Sequence, residues 1–246
     1  FPQAASRALA VLSGSDVDLA EIEQVASSDP VLAGVLLSAA NSARYLHEGE
    51  IRTVRRAVGQ VGTDTARAVL LAAAMRPLFA TPALRPHWAH SLEAADAARH
   101  LAARTGAVPV DEAVVAALLH DIGLLAVSLT APDAVARCQR LIDAGYPRLG
   151  AERLSCGFDH AEASEVVLEA WRLPPSIGYA VRYHHTPEQC DSDMAALLYL
   201  VEFWTCSEED LPSRVRLMTA ARRLRIPEQA IIELKPDSCL RTSLPA

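Results

Sequence analysis

Apolar residues recur along the chain at i, i+3, i+4 and i+7 almost throughout, and no stretch alternates apolar and polar over a strand's length, so the pattern predicts an all-α fold. Asp18-Leu19-Ala20-Glu21 has the form of a capping box that opens a first helix. Asp29-Pro30 reads as an N-cap followed by an N1 proline, starting a helix from Val31 to Tyr45. Glu48-Gly49-Glu50 is expected as a loop, Thr53 as the cap of a short helix to Val61, and Gly62-Thr63 as a break before an alanine-rich helix from Thr65 to Met75. Pro77, Pro82 and Pro86 then interrupt the pattern and mark a boundary near residue 80. Beyond it, helices are predicted over His87–Thr105, Val110–Ser128 and Pro132–Ala144. Others follow near 149–156, 160–172, 175–185, 191–206 and 212–224, with an irregular tail after Pro236. The expected organisation is an N-terminal helical unit (1–80), a helical core (81–206) and a C-terminal helical extension with a tail (207–246).

The chain has 246 residues, 51% of them hydrophobic, long enough to bury about 70% of its unfolded surface without disulfides. Its 23 basic and 30 acidic side chains give a net charge of −7, which argues against nucleic acid as a partner, because phosphate neutralisation needs a dense basic face. The five cysteines, Cys138, Cys156, Cys190, Cys206 and Cys239, form no C-x-x-C pair and read as reduced thiols of a cytoplasmic protein. Aliphatic runs such as Ala113–Leu119 are interrupted by His120 and Asp121, so no membrane span is expected. Arg214, Arg216, Arg222, Arg223 and Arg225 make a basic segment, expected as a solvated face or, failing that, a dock for an acidic partner.

Candidate chemistry lies in the second half. His120-Asp121 falls mid-helix in the predicted Val110–Ser128 element, with His120 on the stripe of Ala113, Ala116, Ala117 and Leu124. An inward carboxylate needs a cation or hydrogen bonds to offset its desolvation. His90 shares a face with Ala94, Ala97 and Leu101, and alone reads as a core histidine. His184 continues the stripe of Ile177, Ala180 and Val181, whereas His185 is turned about 100° away, so one of the two is expected to face inward. Asp159-His160-Ala161-Glu162 is a second capping box; His160 alone reads as bonding a neighbouring loop, and Glu202 alone as a solvated glutamate. No nucleophile elbow, phosphate-binding glycine loop or dinucleotide fingerprint is present, which removes acyl transfer and nucleotide-dependent kinase chemistry; no residue is singled out as catalytic.

Taken together, the motifs resemble the HDOD family, the HD-related output domains of bacterial signalling proteins, over roughly residues 5–205. Ser28-Asp29-Pro30, the run Leu36–Ala43 with Tyr45, and Thr53–Ala57 leading to Val61-Gly62 are similar to the family's N-terminal signature. His90-Ser91, Leu118–Gly123, Gly157–His160, Trp171–Pro174 and His184-His185 follow in the family's order. The resemblance implies an N-terminal helical bundle packed on an HD-like helical core. It also implies a partly retained metal-binding pattern, with His90 as the early histidine, His120-Asp121 as the pair and Glu202 near the place of a late aspartate. His160, His184 and His185 resemble the added histidines of the HD-GYP phosphodiesterases, but Gly145-Tyr146-Pro147 precedes them and reads as a helix-ending turn.

Two functions follow as expectations. The leading one is a non-catalytic regulatory module acting on a protein partner through its helical surface. The Val31–Tyr45 helix, apolar around much of its circumference, is the candidate face for another helix or a second copy of the chain. The alternative is a metal-dependent phosphohydrolase acting on a nucleotide or cyclic dinucleotide. In it His90, His120, Asp121, His160, His184, His185 and Glu202 hold iron, manganese, zinc or magnesium, with Arg172 and Arg182 as candidate phosphate partners.

Overall fold

The computed structural model describes residues 8, 11–12, 17–28, 30–41, 51–76, 84–171, 173–205 and 213–235. Among them every regular element is helical, as the spacing predicts. Asp29, residues 42–50, Pro77, Pro82, Arg172, Cys206, Cys239 and the tail after Pro236 lie outside the described residues, and with them the proposed Asp29 cap, the far end of the Val31–Tyr45 helix and the Glu48–Glu50 loop. The chain divides into two compact units, one formed by residues 1–84 with 170–173, the other by 85–169 with 174–246.

In the first unit, α1 (Leu19–Ser27) starts at the predicted capping box: the Glu21 N–H donates to Asp18 and the Asp18 N–H donates to Glu21. Helix α2 (Pro30–Ala40) packs against α1, α3 (Val54–Val61) and α4 (Thr63–Met75), burying Leu32, Leu36 and Ala40, so helices of its own unit take up much of its apolar circumference. Asn41 has a structural role that the motif alone did not explain. Its amide donates to the Leu37 and Ile51 carbonyls and its Oδ1 accepts from the Ile51 N–H at 2.7 Å, tying the end of α2 to the chain before α3. Thr53 caps α3 as predicted, and Gly62, at φ 85°, separates α3 from α4. Helix α4 is buried on nearly all sides, Arg67 included, whose guanidinium donates to the Trp171 carbonyl.

The second unit is built around α5 (Arg85–Thr105), α6 (Val110–Leu119) and α12 (Asp193–Thr205), with α7 (Ile122–Thr130), α8 (Pro132–Asp143), α9 (Arg148–Cys156), α10 (His160–Ala170) and α11 (Pro175–Arg182) between. Helix α12 packs on α5, α6, α11 and α13 (Arg214–Arg223). Gly145, at φ 87°, ends α8, and the Gly145 and Tyr146 N–H groups bond back to Ile142 and Leu141, as read from Gly145-Tyr146-Pro147. A short helix not foreseen, α14 (Ala230–Glu233), is pinned to α12 by the Trp204 indole donating to the Ile231 carbonyl at 3.1 Å. The basic segment is largely engaged with acids of its own chain, Arg214 with Glu228, Arg216 with Glu188, and Arg223 with Asp191 and Asp193.

The single Val110–Ser128 helix of the sequence reading is corrected to two helices that meet at His120-Asp121. The cause is Gly123. A Cβ there would sit 2.3 Å from the His160 carbonyl oxygen and 2.6 Å from the Ser164 backbone nitrogen, so only glycine lets α7 butt against the start of α10. The Gly123 N–H is accordingly turned away from the preceding helix and donates to Ser164 Oγ at 2.9 Å. Because the obstacles are backbone atoms, Gly123→Ala is expected to cost about 1–3 kcal/mol by forcing the helices apart, read as a lowered denaturation midpoint. Residues 110–130 together are long and apolar enough to cross a membrane by length and composition, but half of that stretch is buried within the protein and this break interrupts it.

Candidate metal centre

Six helices of the second unit, α5, α6, α7, α10, α11 and α12, bring the seven candidate side chains together. His90 comes from α5, His120 and Asp121 from the α6–α7 break, His160 from the first position of α10, and Glu202 from α12. His184 and His185 lie in the turn after α11, which ends at Arg182. That early end corrects the helical-wheel expectation for this pair. Off the helix the 100° rule no longer applies, and both imidazoles face the cluster, with ring centroids 3.9 Å apart.

The readings of single residues are corrected as well. Glu202 is not solvated: its side chain is 13% exposed, and Oε1 lies 3.0 Å from His90 Nε2 and 3.1 Å from His120 Nε2. His160 does not serve a loop: it is buried, with Nε2 at 2.8 Å from His185 Nε2 and 3.3 Å from Asp121 Oδ1. His90 is no plain core histidine, since its Nε2 also lies 3.2 Å from His120 Nε2. Asp121 stands between the groups, with Oδ1 at 3.4 Å from His120 Nε2 and 3.9 Å from His184 Nε2, and Oδ2 at 4.0 Å from His90 Nε2. Three overlapping triads result, His90/His120/Glu202, His120/Asp121/His184 and His160/His184/His185, each with its ligand atoms within 4.8 Å of one another.

The outer ring nitrogens fix how these imidazoles present themselves. His120 Nδ1 lies 2.6 Å from the Ala117 carbonyl and His184 Nδ1 2.6 Å from the Val181 carbonyl. A carbonyl only accepts, so both Nδ1 atoms carry hydrogen and both Nε2 atoms are turned inward. His160 Nδ1 donates in the same way to Glu152 Oε2 at 2.7 Å. Metal-binding histidines are commonly oriented through such outer hydrogen bonds. His184 Nε2 is buried and has no hydrogen-bond partner among the described residues, a condition costly for a polar atom unless a cation occupies its lone pair. The donor set of imidazoles and carboxylates therefore fits a divalent cation of the iron, manganese or zinc kind better than magnesium, which prefers oxygen.

Electrostatics in the metal-free chain follow from this crowding. Burial works against the imidazolium forms of His120 and His160, but Asp121 with Glu202 in one case and Asp121 with Glu152 in the other outweigh it and raise both to about 9. Burial and the neighbouring imidazoles push His184 well down, and burial with His160 lowers His185 to about 3. Burial alone would raise Asp121 and Glu202, yet the surrounding imidazoles hold both well below the usual carboxylate range. Protons on His120 and His160 thus stand where a cation would bind.

Sequence reasoning missed two neighbours. Glu152 of α9 is buried against His160, and His87, one turn before His90, is lowered chiefly by burial, with Asp121 and Arg148 in electrostatic reach. Arg182, a candidate phosphate partner, is engaged with Glu162 at 2.7 Å and Glu165 at 3.6 Å.

The HDOD domain model matches residues 1–187. The chain belongs to the HDOD family. An HDOD domain protein of unknown function from Geobacter sulfurreducens is 26% identical over 98% of this chain and 89% of its own, with a TM-score of 0.67. The MmoQ response regulator from Methylococcus capsulatus str. Bath is 25% identical over 96% of this chain and 97% of its own, at a TM-score of 0.52. A protein of Shewanella amazonensis SB2B named as a candidate phosphohydrolase is 24% identical over 99% of this chain and 90% of its own, at a TM-score of 0.67, a likeness that shows the fold alone. No curated protein matches the chain in sequence.

Proposed function

We propose that this HDOD chain is a regulatory module of bacterial signal transduction that holds a divalent cation in the His/Asp/Glu cluster and acts through contact with a protein partner, without turnover of its own. The family and the likeness to a response regulator support the regulatory role. The observation that carries the cation is the inward Nε2 of His184, buried without a hydrogen-bond partner beside Asp121. His90, His120 and Glu202 would hold the cation on one side, His160, His184 and His185 on the other, with Asp121 between them. The engagement of Arg182 with Glu162 and Glu165 supports a binding role in one respect: that arginine is not free to meet a substrate phosphate, which leaves its charge to the cation alone.

The second reading, a metal-dependent phosphohydrolase, is favoured by the partial exposure of His90, Asp121 and Glu202, at 20, 12 and 13% of their side chains. A cation there would supply hydroxide and stabilise phosphate charge. Incubation of the chain with mono-, di- and cyclic nucleotides in the presence of manganese, iron, zinc or magnesium separates the two. The regulatory reading predicts no release of phosphate or linear nucleotide above a protein-free blank; turnover that disappears in Asp121→Asn would replace it with the hydrolase.

A further inference from the structure

Among the inward histidines whose outer nitrogen is held, two rest on neutral backbone carbonyls, His120 on Ala117 and His184 on Val181. His160 differs. Glu152 Oε2 accepts from both the His160 backbone N–H, at 2.9 Å, and its Nδ1, at 2.7 Å. Glu152 is 6% exposed and comes from α9, a helix that supplies none of the seven candidate ligands. A buried charge at that depth is costly to keep for packing alone, and its hydrogen bonds go to one residue.

We propose that Glu152 is a positioning residue of the metal centre: it fixes His160 as the Nδ1–H tautomer, aims Nε2 at the cation and, by its charge, makes His160 a stronger ligand than its carbonyl-anchored neighbours. The local sequence reinforces the arrangement. Arg153, next along α9, makes a two-pronged contact to Asp159 Oδ2 at 2.7 and 3.1 Å, and Asp159 and Glu162 close the capping box at the start of α10. Adjacent residues of α9 thus clasp adjacent residues of α10, Glu152 on His160 and Arg153 on Asp159, and His160 is held in backbone and ring together. A carboxylate behind an imidazole ligand raises its basicity. On the side of the centre made by His160, His184 and His185, His160 is therefore the most strongly donating imidazole.

This inference rests on the metal-centre reading, and the test separates the two. Zinc, which is diamagnetic, is titrated into the whole chain against a competing chelator for wild type, Glu152→Gln and Glu152→Leu, with thermal melts of the metal-free proteins alongside. Glu152→Gln keeps an acceptor for His160 and removes the charge; it is expected to weaken zinc about 10-fold, and Glu152→Leu, which removes both, about 100-fold. In zinc-loaded wild type, imidazole nitrogen NMR is expected to show His160 protonated at Nδ1 and metal-bound at Nε2, a signature that a merely structural glutamate would not set and that needs no variant. Wild-type affinity in both variants, or His160 bound through Nδ1 or not bound, overturns the positioning role while leaving the metal centre standing. Wild type that takes up no zinc overturns both.

Discussion

Asp121→Asn is expected to lower divalent-cation affinity by at least about 100-fold, the upper end of what outer-sphere changes produce, because it removes the charge that all four nearby imidazoles share. Asp121 lies within 4.0 Å of His90, His120, His160 and His184, and so reaches imidazoles on both sides of the cluster. The amide is nearly isosteric, and the loss is therefore electrostatic and coordinative rather than a matter of shape. The metal-free variant should also be less stable. With Asp121 neutral, the imidazolium forms of His120 and His160 lose their main compensation, and breaking such a buried pair costs roughly 3–5 kcal/mol, a fall in melting temperature on the order of 10 °C for a chain of this size. Chelator competition and thermal melts read the two effects separately.

The second large effect is a dependence on pH that is lost on its alkaline side when metal binds. In the metal-free chain His120 and His160 are raised from the ordinary 6.5 to about 9, so the folded state holds protons that the unfolded state has released. Their contribution is fully present below pH 6.5 and is lost as pH rises through 9. His185, lowered to about 3, and His184, also lowered, act in the opposite window: below 6.5 the unfolded chain takes up protons that these buried rings refuse, and stability falls as pH falls. Metal-free melting temperature should therefore peak near pH 6.5 and decline on both sides. A cation must displace the protons on His120 and His160, so its affinity should rise with pH over the same range; with those protons gone from the folded state and already released by the unfolded chain, the metal-loaded protein should hold its stability level from pH 6.5 to 9 while the metal-free protein declines. Melts at intervals from pH 5.5 to 9.5, with and without zinc, check it; parallel curves would contradict it.

Several local signals were legible in the sequence. The capping boxes at Asp18/Glu21 and Asp159/Glu162, the Thr53 cap and the turn at Gly145 depend on residues a few positions apart, and each is found where the pattern puts it. The break at His120-Asp121 was not, because its cause is the close approach of a distant backbone, that of His160, to Gly123. Apolar periodicity runs through the break and reads as one helix. The candidate site was legible as a set but not residue by residue. Glu202 on its own helix looks like a solvated acid, and only the fold brings it to His120, 82 positions earlier in the chain. His184 and His185 were misjudged for a geometric reason, since the helical wheel was extended past the end of α11. Glu152 left no signal at all: beside Arg153 on a short amphipathic helix it has the appearance of a surface charge pair, and its burial against His160 exists only in three dimensions.

The central claim is that the imidazoles and carboxylates gathered around Asp121 are ligands of a divalent cation. X-ray absorption at the metal edge, on protein purified without chelator or affinity histidines, tests it most directly. The account predicts stoichiometric iron, manganese or zinc with several imidazole nitrogens and a carboxylate oxygen at about 2.0–2.2 Å in the first coordination shell. Protein that carries no metal after incubation with these ions, or metal surrounded by water oxygens without imidazole scattering, would contradict it.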